Sequence, residues 1–371
     1  MRPLKQPVRV CFLIDELATA GTETQLLALV KNLDRSRVLP HLVLLRGDSD
    51  VSRALEPADC PVLRLGAGAL RSPRTALRAW SFMQFLWRER IDVVQVYFPD
   101  SSYFGVPAAF LAGVRHRLRT RNNIGHWMTR VHRVLGRALN CLTTATVANC
   151  EAAKRALLAD EKPAEGRVHV LENGVDLDRF LAIPEPGGDA PRWVGAVANL
   201  RAVKGLDVLV EAAALLRDEF PEVGFRIAGE GGERAALERL IRERNLADRF
   251  HLTGAEADVP GFLAKLDVAV LPSRAEGMSN AVLEYMAAAR PIVASAVGAM
   301  PDVLHDEVHG MLVPPGDPVV LAGRIARYLR DPELARRLGS AARQRANEHY
   351  SRGAMVRRFE DFYTRLVSRG G

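Results

Sequence analysis

The sequence predicts an α/β protein of two doubly wound domains, and three observations predict it. Short β-branched runs alternate with helical stretches from Val8 onward, the pattern of strands that cross over to parallel neighbours. The alternation breaks at the proline- and glycine-rich run IPEPGGDAPR over 183–192 and then restarts, which marks a linker. Finally, 371 residues are too many for one small core and suit two domains of ordinary size. The expected division is 1–182, 192–350 and a helical tail over 351–371.

Taken in order, the first half offers strands over 8–14, 41–45, 62–65, 93–97, 117–121, 146–148 and 168–171, with helical patterns over 22–33, 74–90 and 151–159 between them. The second half offers strands over 193–198, 225–228, 250–252, 268–271, 292–294 and 311–313. Helices starting at Glu233, Val259, Asn280 and Pro318 fill its gaps, and a helix after the 193–198 strand carries Leu206, Leu209, Val210, Ala213 and Leu216 at helical spacing. The arginine-rich tail reads as helix over 331–349 and again over 353–367. Two such domains are expected to leave a cleft between the C-terminal ends of their sheets.

Composition excludes several classes. Four cysteines, Cys11, Cys60, Cys141 and Cys150, show no CxxC or Cys/His ligand spacing, so neither a zinc site nor a disulfide framework is expected, and a reducing cytoplasm fits. No stretch reads as a signal sequence or a membrane span. A net charge of +7 with pI near 9.5 implies an acidic partner. The excess is local: no acid lies between Asp100 and Glu151, while Arg115, Arg117, Arg119, Arg121, Arg130, Arg133 and Arg137 do. The first four alternate and in a strand would share a face. With only Trp127 as an aromatic among them, they point to an anionic membrane surface or acceptor rather than nucleic acid, the plainer reading being solvated arginines.

The segment LPSRAEGMSNAVLEYMAAARP over 271–291 joins a strand end, a tight polar loop and a helix beginning near Ser279 or Asn280. That helix is oily on nearly every face and Glu284 is its one charge, so the carboxylate needs a partner. Glu276 stands in the preceding loop, and Gly277 allows close approach of backbone amides to an anion such as a diphosphate. The bland alternative pairs Glu284 with Arg290 and leaves Glu276 in solvent.

Other loops add cations and turns. Lys204 and Gly205 open a helix after the first strand of the second domain, where a lysine offsets phosphate charge and Arg201 assists, or where it is simply solvated. Gly229, Gly231 and Gly232 suggest a dinucleotide turn, but Arg234 occupies the third glycine position and Glu230 would repel a pyrophosphate. A nicotinamide site is therefore rejected and a backbone turn near a base or sugar is kept. The pairs Asp48/Asp50 and Asp176/Asp178 lie away from the 271–291 segment, and no metal or cofactor is assigned. In the first domain, Gly21 and Thr22 form a strand-to-helix turn, and His126 is the histidine nearest a plausible cleft loop, against its reading as a surface histidine.

Together these motifs resemble the retaining glycosyltransferases of family 4, the glycosyl transferases group 1 type, with the GT-B fold of two Rossmann-like domains facing each other across a cleft. The resemblance runs through VLENGVDLDRF, Lys204-Gly205, IAGEGGERAALE, DVPGFLAKLDVAVLPSRAEGMSNAVLEYMA, RPIVASAVGAMPDVL and HGMLVPPGDP. It implies that Glu284 binds the ribose hydroxyls of a nucleotide sugar, that Glu276 meets the sugar, and that Lys204 with the amides of Gly277, Met278, Ser279 and Asn280 binds the diphosphate without a metal. It also implies an acceptor-binding first domain to which the 351–371 helix crosses back, and a UDP- or GDP-type donor. The acceptor would be lipid-linked or polysaccharide, served in the cytoplasm or at the inner membrane face. An epimerase or a non-catalytic subunit would use the same scaffold. Departures from the family pattern are Asn199 where an arginine is usual, Ala20 in the glycine turn, Ala289 and Ala299 for glycines, and Asp302 for glutamate. The usual histidine after the fifth strand is replaced by a choice among Arg121, Asn122 and His126.

Overall fold

The computed structural model describes residues 6–46, 49–68, 72, 74–125, 128–184 and 192–368. It divides into two compact units, one of 1–173 with 352–371 and the other of 174–351.

The first unit is built on a parallel sheet of β1 (Val8–Ile14), β2 (Val38–Leu44), β3 (Val62–Arg64), β4 (Val93–Val96), β5 (His116–Arg121), β6 (Ala145–Ala148) and β7 (Val168–Val170), in the order β3-β2-β1-β4-β5-β6-β7. β1 (VRVCFLI) and β4 (VVQV) are apolar nearly throughout because helices cover both sheet faces. The connecting helices are α1 (Gly21–Asn32), α2 (Asp50–Leu55), α3 (Arg74–Arg88), α4 (Pro99–Leu111), α5 (Arg130–Leu139) and α6 (Glu151–Glu161). The order reverses between β1 and β4, and by the right-handed rule for parallel crossovers it assigns α1 and α2 to one face and α3 to α6 to the other. Three of these helices escape a periodicity reading. α4 is buried on most sides, so it has no polar face, and it carries Pro99 in its first turn and Pro107 inside. α2 is short, and α5 runs its apolar stripe along an unexpected face.

The second unit repeats the design with β8 (Trp193–Val197), β9 (Gly224–Ala228), β10 (Phe250–Gly254), β11 (Val268–Leu271), β12 (Ile292–Ser295) and β13 (Met311–Val313), in the parallel order β10-β9-β8-β11-β12-β13. Its helices are α7 (Leu206–Leu216), α8 (Arg234–Glu243), α9 (Val259–Ala264), α10 (Asn280–Ala287), α11 (Met300–Val303), α12 (Pro318–Arg330) and α13 (Pro332–His349). The order reverses between β8 and β11, which puts the loops after those two strands side by side.

The last helix, α14 (Arg352–Ser368), belongs to the first unit, where Met355, Val356, Phe359, Phe362 and Tyr363 join the core beside α1 and β1. Two of its polar side chains tie it into the unit. Glu360 accepts from the Asp34 amide at 2.7 Å and pairs with Arg37 at 2.8 Å. The Tyr363 hydroxyl donates to Gln95 Oε1 at 2.7 Å, and Gln95 Nε2 in turn donates to Tyr97 and Thr120, each at 3.0 Å. Tyr363→Phe strands the Gln95 carbonyl in a dry core, and thermal or denaturant unfolding should read a loss of about 1–3 kcal/mol.

Candidate active site

The second unit's candidate residues lie on two loops at the switch between β8 and β11. After β8 a 3₁₀ turn, Ala202–Lys204, leads through Gly205 into α7. After β11 the chain runs through Pro272 to Ser279 and enters α10. Arg274 clamps the second loop onto the first: its amide donates to the Val203 carbonyl at 2.8 Å, and its guanidinium reaches the Ala202 carbonyl at 2.9 Å and Asp207 at 2.5 and 2.7 Å. Gly205 sits at φ +60°, where a Cβ would lie 2.2 Å from the Pro272 carbonyl oxygen, so only glycine lets the loops close this far.

This contact brings Lys204 to Glu276 across 72 residues of sequence. Lys204 Nζ lies 2.6 Å from Glu276 Oε1, which also accepts from Ser273 Oγ at 2.8 Å. The bland alternative of a solvated Glu276 fails, since its side chain is only 9% exposed. A glycine turn presses on the same loop, for a Cβ on Gly298 (φ +57°) would meet the Glu276 carbonyl oxygen at 2.0 Å, and the Ala299 amide donates to the Gly277 carbonyl at 3.0 Å. Met278 and Ser279 are buried, and Ser279 caps α10 by accepting from the Val282 amide at 3.4 Å.

Glu284, one turn into α10, differs from Glu276 in having neither a hydrogen bond nor an ion pair to its carboxylate among the described residues. The alternative pairing with Arg290 does not form. Arg290 is fully buried and donates to the carbonyls of Ala288 at 3.0 Å, Leu266 at 2.9 Å and Pro184. Burial pushes the Glu284 carboxyl up to about 7, with the charge of Arg179 pulling the other way. Its neighbour Tyr285 anchors α10 by accepting from the Val197 amide at 2.7 Å. Burial raises the Tyr285 hydroxyl, and the charges of Glu284 and Glu276 both act on it.

Gly229 and Gly231 pack backbone to backbone on the loop after β8: a Cβ would lie 1.9 Å from the Ala198 carbonyl oxygen at one and 2.4 Å from that of Leu200 at the other. Arg201 is exposed on the same loop. A half-buried carboxylate that lacks a partner, an ammonium held on a second carboxylate and a capped helix start make an arrangement able to bind a hydroxylated, anionic ligand. Ser273 and Arg179 were not singled out from sequence. Ser273 stands three residues before Glu276, and Arg179 lies in the 3₁₀ turn Leu177–Phe180 of the VDLDRF stretch, which packs on α10.

In the first unit, Gly21 begins α1, and Asn122 donates to Thr22 Oγ1 at 3.3 Å. Thr22 and Asn122, but not Gly21, border a pocket with Tyr97, Thr120, Asn123 and Phe98, the last at φ +66°. His126 and Trp127 lie outside the described residues, as does Asp48.

The strand arginines form neither the face toward an anionic membrane or acceptor expected of them nor the plainer solvated one, because Arg117, Arg119 and Arg121 are engaged within the unit. Arg117 donates to the Leu142 carbonyl at 2.6 Å and lies over Phe110. Arg119 is 2.7 Å from Glu161, and the buried Arg121 reaches Glu161 and Asp160 at 3.3 Å. From α5, Arg133 and Arg137 also turn to Asp160. The acid-free window is thus filled from α6, just beyond it in sequence; Arg115 and Arg130 remain exposed.

Comparison with known proteins gives two domain matches, Glycosyl transferase 4-like domain over residues 20–174 and Glycosyl transferases group 1 over residues 186–345. The alpha-D-kanosaminyltransferase of Streptomyces kanamyceticus is 36% identical over 160 residues, 43% of this chain and 42% of that protein. The MMP alpha-(1->4)-mannosyltransferase of Mycolicibacterium hassiacum is 32% identical over 216 residues, 57% of this chain and 52% of that protein. The chain thus spans about half the length of the curated relatives it matches. Among solved structures, Anabaena Alr3699/HepE in complex with UDP superposes with TM-score 0.82 at 21% identity, covering 96% of this chain and 99% of that one. A glycosyltransferase from Rickettsia africae gives 0.84 at 18% identity, covering 97% and 99%. With each unit matched by its own model, the chain carries a Glycosyl transferase 4-like domain and a Glycosyl transferases group 1 domain, and it has the GT-B fold.

Proposed function

We propose that the chain transfers a sugar, with retention, from a UDP- or GDP-type donor to a lipid-linked or polysaccharide acceptor of envelope or exopolysaccharide synthesis. One observation carries the reading: Lys204 paired with Glu276, and Glu284 left without a partner, on adjoining loops at a sheet switch point. The second unit binds the donor and the first binds the acceptor. Glu284 accepts from both ribose hydroxyls. Lys204 and the amides from Gly277 to Asn280 meet the diphosphate, whose negative charge grows as the glycosidic bond breaks, and Glu276 accepts from hydroxyls of the sugar. Arg201 and the Gly229 turn border the nucleotide. The reading needs no metal or cofactor.

The transferase names of the relatives and the UDP in the HepE structure support it. Calorimetry with UDP, GDP and ADP is expected to give saturable binding of one of the first two. Nuclear magnetic resonance of the product formed from the matching donor should show the donor's anomeric configuration kept. Failure of all three nucleotides to bind, or an inverted product, sinks the proposal.

A further inference from the structure

The helical layer on the α3 to α6 face of the first unit carries a surface that sugar transfer does not account for. α5 is turned inside out. Val131, Val134 and Leu135 are 64%, 61% and 42% exposed and fall at i, i+3 and i+4, one stripe along the helix. The opposite side packs Gly136 against Glu161, so closely that a Cβ would come within 2.5 Å of its carboxylate, and sends Arg133 and Arg137 to Asp160. A soluble helix ordinarily does the reverse.

α3 repeats the feature. Leu77, Trp80 and Trp87 are 69%, 51% and 48% exposed and fall at i, i+3 and i+10, again along one side. The two indoles meet edge to face at 5.6 Å, and Trp87 Nε1 donates to the Ala112 carbonyl at 2.8 Å, tying the end of α3 to the end of α4. There Phe110 and Leu111 are exposed as well. α3 packs on α4 and α4 on α5, so the exposed apolar groups belong to neighbouring helices of one layer. Scattered exposed apolar residues need no explanation, but stripes on neighbouring helices do.

The charges on these helices select the occupant. Neither α3 nor α5 contains a carboxylate, and Arg74, Arg78 and Arg130 are exposed on them, as is Arg88, which pairs with Glu89 just past the end of α3 at 2.9 Å. Apolar stripes with tryptophan, fringed by long cationic side chains and with no acid on either helix, match the boundary of an anionic bilayer, where indoles sit at headgroup level and arginines reach lipid phosphates. No helix among the described residues is long and apolar enough to cross a membrane. We propose that this layer docks the first unit peripherally on an anionic lipid surface, with α5 and α3 lying in the interface. The surface is carried by helix faces rather than by the strand arginines, and it stands independently of the sugar-transfer reading.

The test is sedimentation of the full chain with phosphatidylcholine vesicles, with and without phosphatidylglycerol. The chain is expected to pellet with the anionic vesicles and less so at high salt. A double variant, Trp80→Glu with Val134→Glu, should weaken this by about tenfold or more with its melting temperature and nucleotide affinity unchanged. Three results overturn the proposal: no pelleting with anionic vesicles, pelleting that the double variant retains, or a wild-type dimer in light scattering that the double variant splits. The last would mean that a second copy covers the stripes.

Discussion

Replacing Glu284 with alanine is expected to abolish detectable donor binding and transfer. Hydrogen bonds to an ionised group contribute roughly 1.5–3 kcal/mol each, so losing two to a ribose lowers affinity by about a hundredfold or more. Calorimetry with the preferred nucleotide reads this directly, and unchanged affinity would remove Glu284 from the site. The same side chain sets a pH dependence. Its carboxyl is raised from 4.5 to about 7 in the folded chain, so between those values the native state holds a proton that the unfolded state has released. Stability from this group is therefore full below the unfolded value and falls as pH rises through 7, by about 3 kcal/mol in all. Glu284→Gln should flatten that slope and leave the protein more stable than wild type at pH 8. Nucleotide binding runs the other way. It needs the ionised form, so affinity should strengthen through pH 7 and binding near pH 6 should release a proton to the buffer. A slope of wild-type stability against pH identical to that of Glu284→Gln would refute the assignment.

Lys204→Ala is expected to lower kcat by about 10²–10³-fold, the usual effect of removing one donor aimed at developing charge. Because that charge grows as the bond breaks, the loss should fall on kcat more than on KM. Stability should change little. The ammonium is partly exposed and Glu276 keeps the Ser273 hydroxyl, so the pair contributes modestly to folding. Full activity in Lys204→Ala at unchanged KM would show that the cation serves only to seat Glu276.

Much of the fold is legible because parallel strands buried on both faces spell themselves as largely apolar runs, unbroken in β11 and interrupted only by Arg9 in β1 and Gln95 in β4. The start of α10 is legible for another local reason, the serine cap ahead of an oily run. What sequence cannot give is the meeting of Lys204 with Glu276, since 72 residues and a sheet reversal separate them. The strand arginines mislead for the same reason: their partners Asp160 and Glu161 stand just past the acid-free window and return to it only through α6. Arg290 offers a false alternative of another kind. A charge four to six residues from a carboxylate suggests a pair, yet its guanidinium is spent on backbone carbonyls.

The membership of α14 in the first unit has a consequence for how the chain is made. On a ribosome the second unit, continuous from Gly174 to Ser351, has every part it needs before the first does. The first unit emerges earlier but waits, with Phe12 and Gln95 still lacking Tyr363, until the closing helix is released. Domains usually finish in the order of their synthesis; here the later-made unit is ready to fold while the earlier one remains a nascent chain missing its final piece.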